Sequence, residues 1–367
     1  MAAPAVAVNL LWCVPGDVGG SEEYLVRQLL GLAEAESRLR PTLYVVDGFV
    51  EAHRQLTEMF PTVVAPFNGA SRVRRINGEA TWFRGRSKRA DLRHHGGGAA
   101  PLGAVRPYVV TIHDLQYRTY PAYFSRTKRA YLEAMIGRSV RRARMVAVPS
   151  QFVRDSIVDA YGVAPTKIRV VPHGFEPDLV NDFTGEDDLR QRFELGDGPV
   201  IVYPAVTHPH KNHRFLIDLL RTRWTDPDLR LVLIGGSGAV EHSIAAAKDP
   251  RIRRLGRVSD ADRNGLLKMA DAMVFPSQYE GFGAPLIEAM ALGCPVIASD
   301  STCIPVVVDS AGLVLPLSID AWAGGLDRVR QNRATMIAAG LRRAEAFTTK
   351  ASGAALAGVY RAALEQW

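Results

Sequence analysis

The sequence predicts an α/β protein built as two Rossmann-like parallel-sheet domains, and three observations carry that prediction. A chain of 367 residues exceeds what one hydrophobic core usually organises. Short apolar runs alternate with helical periodicities along most of it, which implies parallel sheets covered on both faces. In each half, an apolar run breaks into a glycine-bracketed loop that opens directly into a helix, the arrangement at which open α/β sheets hold phosphates.

Val6 to Val14 reads as the first strand. Pro15 to Glu23 then forms a glycine-rich loop, with Ser21 placed to cap the helical run Tyr24 to Ala35. The loop has neither the Gly-x-Gly-x-x-Gly spacing of a dinucleotide fold nor the lysine of a P-loop. What Gly19-Gly20 offers is backbone that a ligand can approach closely. Further strands are predicted at Thr42 to Val46, Thr62 to Ala65, Tyr108 to Ile112, Met145 to Val148 and Ile168 to Val171. Helices are predicted near Val50 to Met59, Arg126 to Arg142 and Gln151 to Ala160.

Residues 68–106 break this rhythm. Rich in Gly and Arg, they read as a long functional loop that includes Asp91, His94, His95 and Gly96-Gly97-Gly98. No acid or cysteine cluster supports a metal at His94 and His95, so acceptor contact or plain solvent exposure is the expectation there. His113-Asp114 follows directly on a predicted strand, which puts His113 at a carboxyl end, where function concentrates. Asp114 is placed either to orient that ring or to cap the next turn.

Acidic and polar residues from Asn181 to Asp188 suit a hinge, giving expected domains of 1–177 and 178–350 with a terminal helix over 351–367. The second domain begins with a helix at Asp187 to Phe193 and a strand at Val200 to Tyr203. Lys211 then sits at a strand-to-helix junction, a compact and donor-rich cation suited to a diphosphate. Leu231 to Ile234 leads into Gly235-Gly236-Ser237-Gly238, and Ser259-Asp260 opens a helix to Met269. Ala321 to Val329, Ala334 to Phe347 and Ser352 to Leu364 read as the closing helices.

The richest stretch is Phe275-Pro276-Ser277-Gln278-Tyr279-Glu280-Gly281-Phe282-Gly283-Ala284-Pro285-Leu286-Ile287-Glu288. The strand Ala272 to Phe275 meets a loop that turns into a helix near Ala284, with Pro285 in its first turn. Amides and the positive end of the helix dipole collect there. A carboxylate accepts two hydrogen bonds from a vicinal diol, so Glu288 suits a ribose and Glu280 the hydroxyls of a second sugar.

With Glu280, Gly281, Gly283, Glu288 and the following Gly293-Cys294-Pro295-Val296-Ile297-Ala298-Ser299-Asp300, the chain resembles the retaining glycosyltransferases of family 4. That resemblance implies the GT-B fold: two domains facing across a cleft, with the last helix returning to the first domain. It implies a nucleotide-sugar donor held by Gly19, Gly20, Gly281, Phe282, Gly283 and Glu288. His113, Lys211 and Glu280 would be the catalytic residues, with His94, His95 and Asp114 as acceptor-side candidates. Thr111 to Leu115 together with His210 to His213 is similar to relatives that move mannose from GDP-mannose, ahead of UDP- or dTDP-linked sugars. The family's arginine six residues before the lysine is replaced here by Ala205, leaving His208, His210 or another arginine to substitute. It also leaves open a noncatalytic nucleotide-sugar-binding module.

No metal or other cofactor is expected, because no Asp-x-Asp pair or ligand cluster is present. Composition, 47% apolar and 23% charged with no apolar run near the ~20 residues of a membrane span, fits a globular enzyme. The start lacks a basic signal-peptide region, and Cys13, Cys294 and Cys303 read as reduced core thiols, so a cytoplasmic location is expected. The +7 charge concentrates in two basic stretches, Arg72 to Arg89 and Arg126 to Arg144. The second reads as an amphipathic helix whose basic face is either solvated or drawn to anionic lipid at the inner face of a membrane. Salt-sensitive sedimentation with anionic liposomes separates the two. The acceptor is expected to be a glycan, a lipid-linked sugar or a small glycoside, and no nucleic-acid partner is expected.

Overall fold

A computed structural model of the chain describes residues 4–16, 19–36 and 38–365. Met1 to Ala3 and, within the predicted glycine-rich loop, Asp17 and Val18 lie outside the described residues, as does the end of the predicted terminal helix at Gln366 and Trp367. Contacts divide the chain into two units, Met1–Gly174 with Thr348–Trp367, and Phe175–Phe347.

The first unit holds a seven-stranded sheet in the order β3-β2-β1-β4-β5-β6-β7. Its strands are β1 (Val6–Asn9), β2 (Thr42–Val45), β3 (Thr62–Val64), β4 (Leu92–His95), β5 (Tyr108–Thr111), β6 (Met145–Val148) and β7 (Ile168–Val170). All neighbours pair in parallel. The second unit holds β10-β9-β8-β11-β12-β13, also parallel, from β8 (Val200–Pro204), β9 (Arg230–Ile234), β10 (Ile252–Gly256), β11 (Ala272–Phe275), β12 (Val296–Ser299) and β13 (Leu313–Leu315). Apolar runs such as Ala272–Phe275 and Val296–Ser299 are buried along their whole length, as strands covered by helices on both faces must be. In each sheet the order reverses once, between β1 and β4 and between β8 and β11. These are the topological switch points.

The long loop expected over residues 68–106 is a correction. Helix Arg72–Gly78, a π-helical turn Glu79–Phe83 and the strand β4 occupy it. Leu92-Arg93-His94-His95 has the wrong composition for a central strand, yet all four are buried because partners from elsewhere satisfy them. Arg93 donates to the carbonyls of Ser87 and Lys88, His94 bridges the Tyr360 and Thr111 hydroxyls at 2.8 Å each, and His95 Nδ1 meets the Asn9 amide at 3.3 Å. Buried in this way, His94 and His95 do not present a face to an acceptor, which corrects that reading too.

Burial pushes the pKa of both imidazoles down to about 3. Unfolded histidines titrate near 6.5, so between pH 6.5 and 3 the unfolded chain binds more protons and stability falls as pH falls. Each of the two is expected to withdraw roughly 2 kcal/mol between pH 7 and 5. Thermal unfolding in one buffer series at fixed ionic strength checks this, and a Tm that does not drop toward pH 5 contradicts it.

The terminal helix Thr349–Glu365 belongs to the first unit and packs against helix Gly20–Ala35. Glycines make the crossing close. A Cβ on Gly353 would stand 2.0 Å from the Gly31 carbonyl carbon, and one on Gly31 would stand 1.8 Å from the Thr349 carbonyl oxygen. Helix Gly20–Ala35 starts one turn earlier than its pattern indicates. Gly19, at φ 73°, is the cap, and Ser21 lies inside the first turn.

Candidate functional site

In the second unit, the carboxyl ends of β8 and β11 flank the switch point, and the predicted lysine and glutamate come from these ends. After β8 the chain makes a 3₁₀ turn at Pro209–Lys211 and, through Asn212 in the left-handed region, enters helix His213–Thr222. After β11 it runs through Glu280 to Gly283, whose φ of 88° suits glycine alone and starts helix Ala284–Ala291. A backbone bond from Gln278 N–H to the His210 carbonyl, 2.8 Å, ties the two loops.

Lys211 Nζ lies 2.6 Å from Glu280 Oε1, and both side chains are largely withdrawn from solvent, at 18% and 11% exposure. The ammonium also stands 5.5 Å from the centre of the Phe275 ring. Tyr203 donates its hydroxyl to the Lys211 carbonyl at 2.7 Å, fixing the lysine backbone from the strand beneath. Glu280 is clamped by Thr302, whose Oγ1 accepts from the Glu280 N–H and donates to the Glu280 carbonyl, both at 3.1 Å; Cys303 Sγ donates to the same carbonyl at 3.3 Å. No sequence signal marks Thr302. It achieves its position with φ of 54°, a left-handed geometry that a threonine adopts only when its surroundings impose it.

Glu288 is buried in the second turn of helix Ala284–Ala291. The ring of Phe282 is 4% exposed and turned edge-on to Phe347, 5.6 Å away, within the core of the unit. What Phe282 can offer a ligand is therefore backbone, as with Gly281 and Gly283. At the position of the expected arginine, Ala205 is buried. His210 does not replace that charge: burial, with Lys211 adding to it, pushes its pKa down to about 3. Lys211 is the ammonium in this corner, and the guanidinium of Arg257 stands beside Gly236, just after β9.

In the first unit, Gly19 and Gly20 start the helix after β1, and a Cβ on either would meet nothing within 4 Å among the described residues. His113 follows β5. Its Nε2–H donates to the Gly96 carbonyl at 2.8 Å, and the ring sits between Trp12, at 5.9 Å, and Tyr24, at 5.7 Å. Burial pushes its pKa down to about 4, so it is neutral at pH 7 with Nδ1 left as an acceptor. Asp114 Oδ1 accepts the Gln116 N–H at 2.8 Å and caps the turn that follows. Cys13, Cys294 and Cys303 are buried and unpaired. Among the described residues no group of His, Cys, Asp and Glu is gathered as a metal site, and no helix is long and apolar enough to cross a membrane.

Two Rossmann-like units, one presenting a paired lysine and glutamate beside a helix start at its switch point, define an α/β protein of the doubly wound class. Comparison with known families specifies it: the chain matches Glycosyltransferase Family 4 over residues 18–179 and glycosyl transferases group 1 over residues 185–344. It belongs to the family 4 glycosyltransferases and has the GT-B fold. It is 29% identical over 252 residues to O-antigen chain mannosyltransferase B of Escherichia coli, covering 65% of this chain and 66% of that protein. The O-antigen chain mannosyltransferase RfbU of Salmonella typhimurium is also 29% identical, over 67% of this chain and 66% of its own length. The matched region is thus just under two thirds of each relative. Sucrose-phosphate synthase from Thermosynechococcus elongatus shares the fold at a TM-score of 0.77 and 20% identity, over 99% of this chain and all of that one.

Proposed function

We propose that this protein is a retaining, metal-independent glycosyltransferase that moves a hexosyl unit, mannosyl in preference, from a nucleotide sugar to a glycan or lipid-linked acceptor. The observation that carries the reading is the Lys211–Glu280 pair, 2.6 Å apart at the β8/β11 switch point. An ammonium has three N–H donors; one engages Glu280 and the others remain for phosphate oxygens. When the sugar–phosphate bond breaks, negative charge grows on the diphosphate. Lys211 and the positive end of helix Ala284–Ala291 stabilise it. Glu280 and Glu288 accept from sugar and ribose hydroxyls, which position the anomeric carbon. The preference for mannose is supported by the two O-antigen mannosyltransferases that the chain resembles.

His113 enters as a neutral hydrogen-bonding group for the donor sugar, held in one tautomer by the Gly96 carbonyl. His113→Ala is expected to lower turnover roughly tenfold or more while nucleotide affinity stays near wild type. A fully active variant contradicts that role.

Incubation with GDP-mannose, UDP-glucose and dTDP-glucose, each with and without a lipid-linked or glycoside acceptor and with and without EDTA, tests the whole reading by released nucleotide. GDP release from GDP-mannose, unchanged by EDTA, is the expected result. Ala205 at the place of the family's arginine favours a second reading, a binding module without turnover. Binding with no release from any of the three donors would select it.

A further inference from the structure

The first unit contains a cavity of about 480 Å³ that none of the residues above accounts for. One wall is helix Arg72–Gly78 with the π-turn after it, contributing Arg72, Arg75 and Glu79; π-turns of this kind concentrate at functional positions. The opposite wall is apolar, from Leu102, Tyr131 and Met135. Its floor is the loop that holds His113. Gly97 packs on Trp12 so closely that a Cβ would stand 2.7 Å from the indole, and Gly98 lies next to the His113 ring. Leu102 and Tyr131 are 64% and 41% exposed, so the apolar wall is open to a solute.

The chemistry of the lining is specific. Arg75 Nη1 donates to the Trp12 carbonyl at 3.3 Å, which anchors that guanidinium, and the exposed Arg72 stands 6.0 Å over the Tyr131 ring at the rim. Guanidinium groups beside an apolar wall match a phosphate ester attached to an apolar chain. Glu79 lies deeper. Its carboxyl is hydrogen-bonded to Asn9 and faces Arg75, and burial pushes it up to about 7, so it does not cancel the arginine charge in full.

We propose that this cavity binds the acceptor, and that the acceptor is an amphiphilic phosphate ester whose phosphate is held by Arg72 and Arg75. The proposal rests on the transferase reading for the word acceptor, but the binding it requires does not. It moves acceptor recognition away from the buried His94 and His95 to the helix before them.

Calorimetric titration of the full chain, with no donor present, tests it using geranyl phosphate, geraniol, D-inositol 3-phosphate and inorganic phosphate. Geranyl phosphate is expected to bind about tenfold or more tightly than any of the other three. Arg75→Ala and Arg72→Ala are each expected to weaken it about five- to tenfold. Arg74→Ala, on the same helix but outside the cavity lining, is expected to bind as wild type does. Geraniol or inositol phosphate binding as well as geranyl phosphate, or Arg75→Ala behaving like Arg74→Ala, overturns the proposal. Geranyl phosphate binding as expected, with no nucleotide released from any donor in the presence of the glycoside and lipid-linked acceptors, would sink the transferase reading alone, so the two failures are distinguishable.

Discussion

Replacing Lys211 with alanine is expected to lower kcat/KM for the nucleotide sugar by roughly 10²- to 10³-fold, the scale of removing one preorganised partner of a developing oxyanion. The variant loses a charge aimed at the leaving group. It also leaves Glu280 as a largely buried carboxylate without its counter-ion, 2.6 Å from an empty position. Stability should fall as well, by about 1–3 kcal/mol. The two effects separate in a double-mutant cycle. Glu280→Gln removes the anion but keeps an acceptor for Lys211, so it should fold normally and lose turnover through poor sugar positioning. Adding Lys211→Ala to Glu280→Gln should then cost less than Lys211→Ala does alone, because the groups act as a unit. Strict additivity, or a Lys211→Ala enzyme within threefold of wild type, contradicts the role of the pair.

The second large effect is structural. Gly31→Ala is expected to destabilise the first unit by about 3 kcal/mol, at the upper end of overpacking, and Gly353→Leu by more. The collisions are with backbone, at 1.8 Å and 2.0 Å for a bare Cβ, so no side-chain rotation relieves them. The helices must separate. Separation pulls Tyr360 from His94 Nδ1 and Ser352 from the Pro172 carbonyl, to which its hydroxyl donates at 2.5 Å. Loss of the Tyr360 bond leaves a polar ring buried in β4. Urea unfolding checks this, and an unchanged midpoint for Gly31→Ala would show that the helices pack less closely than described. As a control, Gly358→Ala lies on the same terminal helix with nothing within 4 Å and should be neutral or slightly stabilising.

What could be read in advance follows a physical line. Strands such as β5, β6, β11 and β12 announce themselves because both faces are covered and the run is apolar throughout. β4 does not, because its stability comes from partners far along the chain; the His94–Tyr360 bond joins residues 266 apart. No local pattern encodes that. Glu280, Glu288 and Lys211 were legible as motif residues, and their loops as strand-to-helix junctions. Their direct pairing was not legible, nor was the Thr302 clamp, which depends on a left-handed threonine. Arg72 and Arg75 were visible only as members of a basic stretch. The cavity they border exists because the helix before β4 folds over the glycine loop beneath His113.

The most direct test is a crystal structure of the protein with the nucleotide sugar that the release assay selects. The diphosphate should lie within hydrogen-bonding distance of Lys211 Nζ and of the amides at Gly281 to Gly283, with the ribose hydroxyls on Glu288 and the hexose on Glu280. A donor bound elsewhere in the second unit, or one bound with Lys211 still paired to Glu280 and touching no phosphate, would contradict the account.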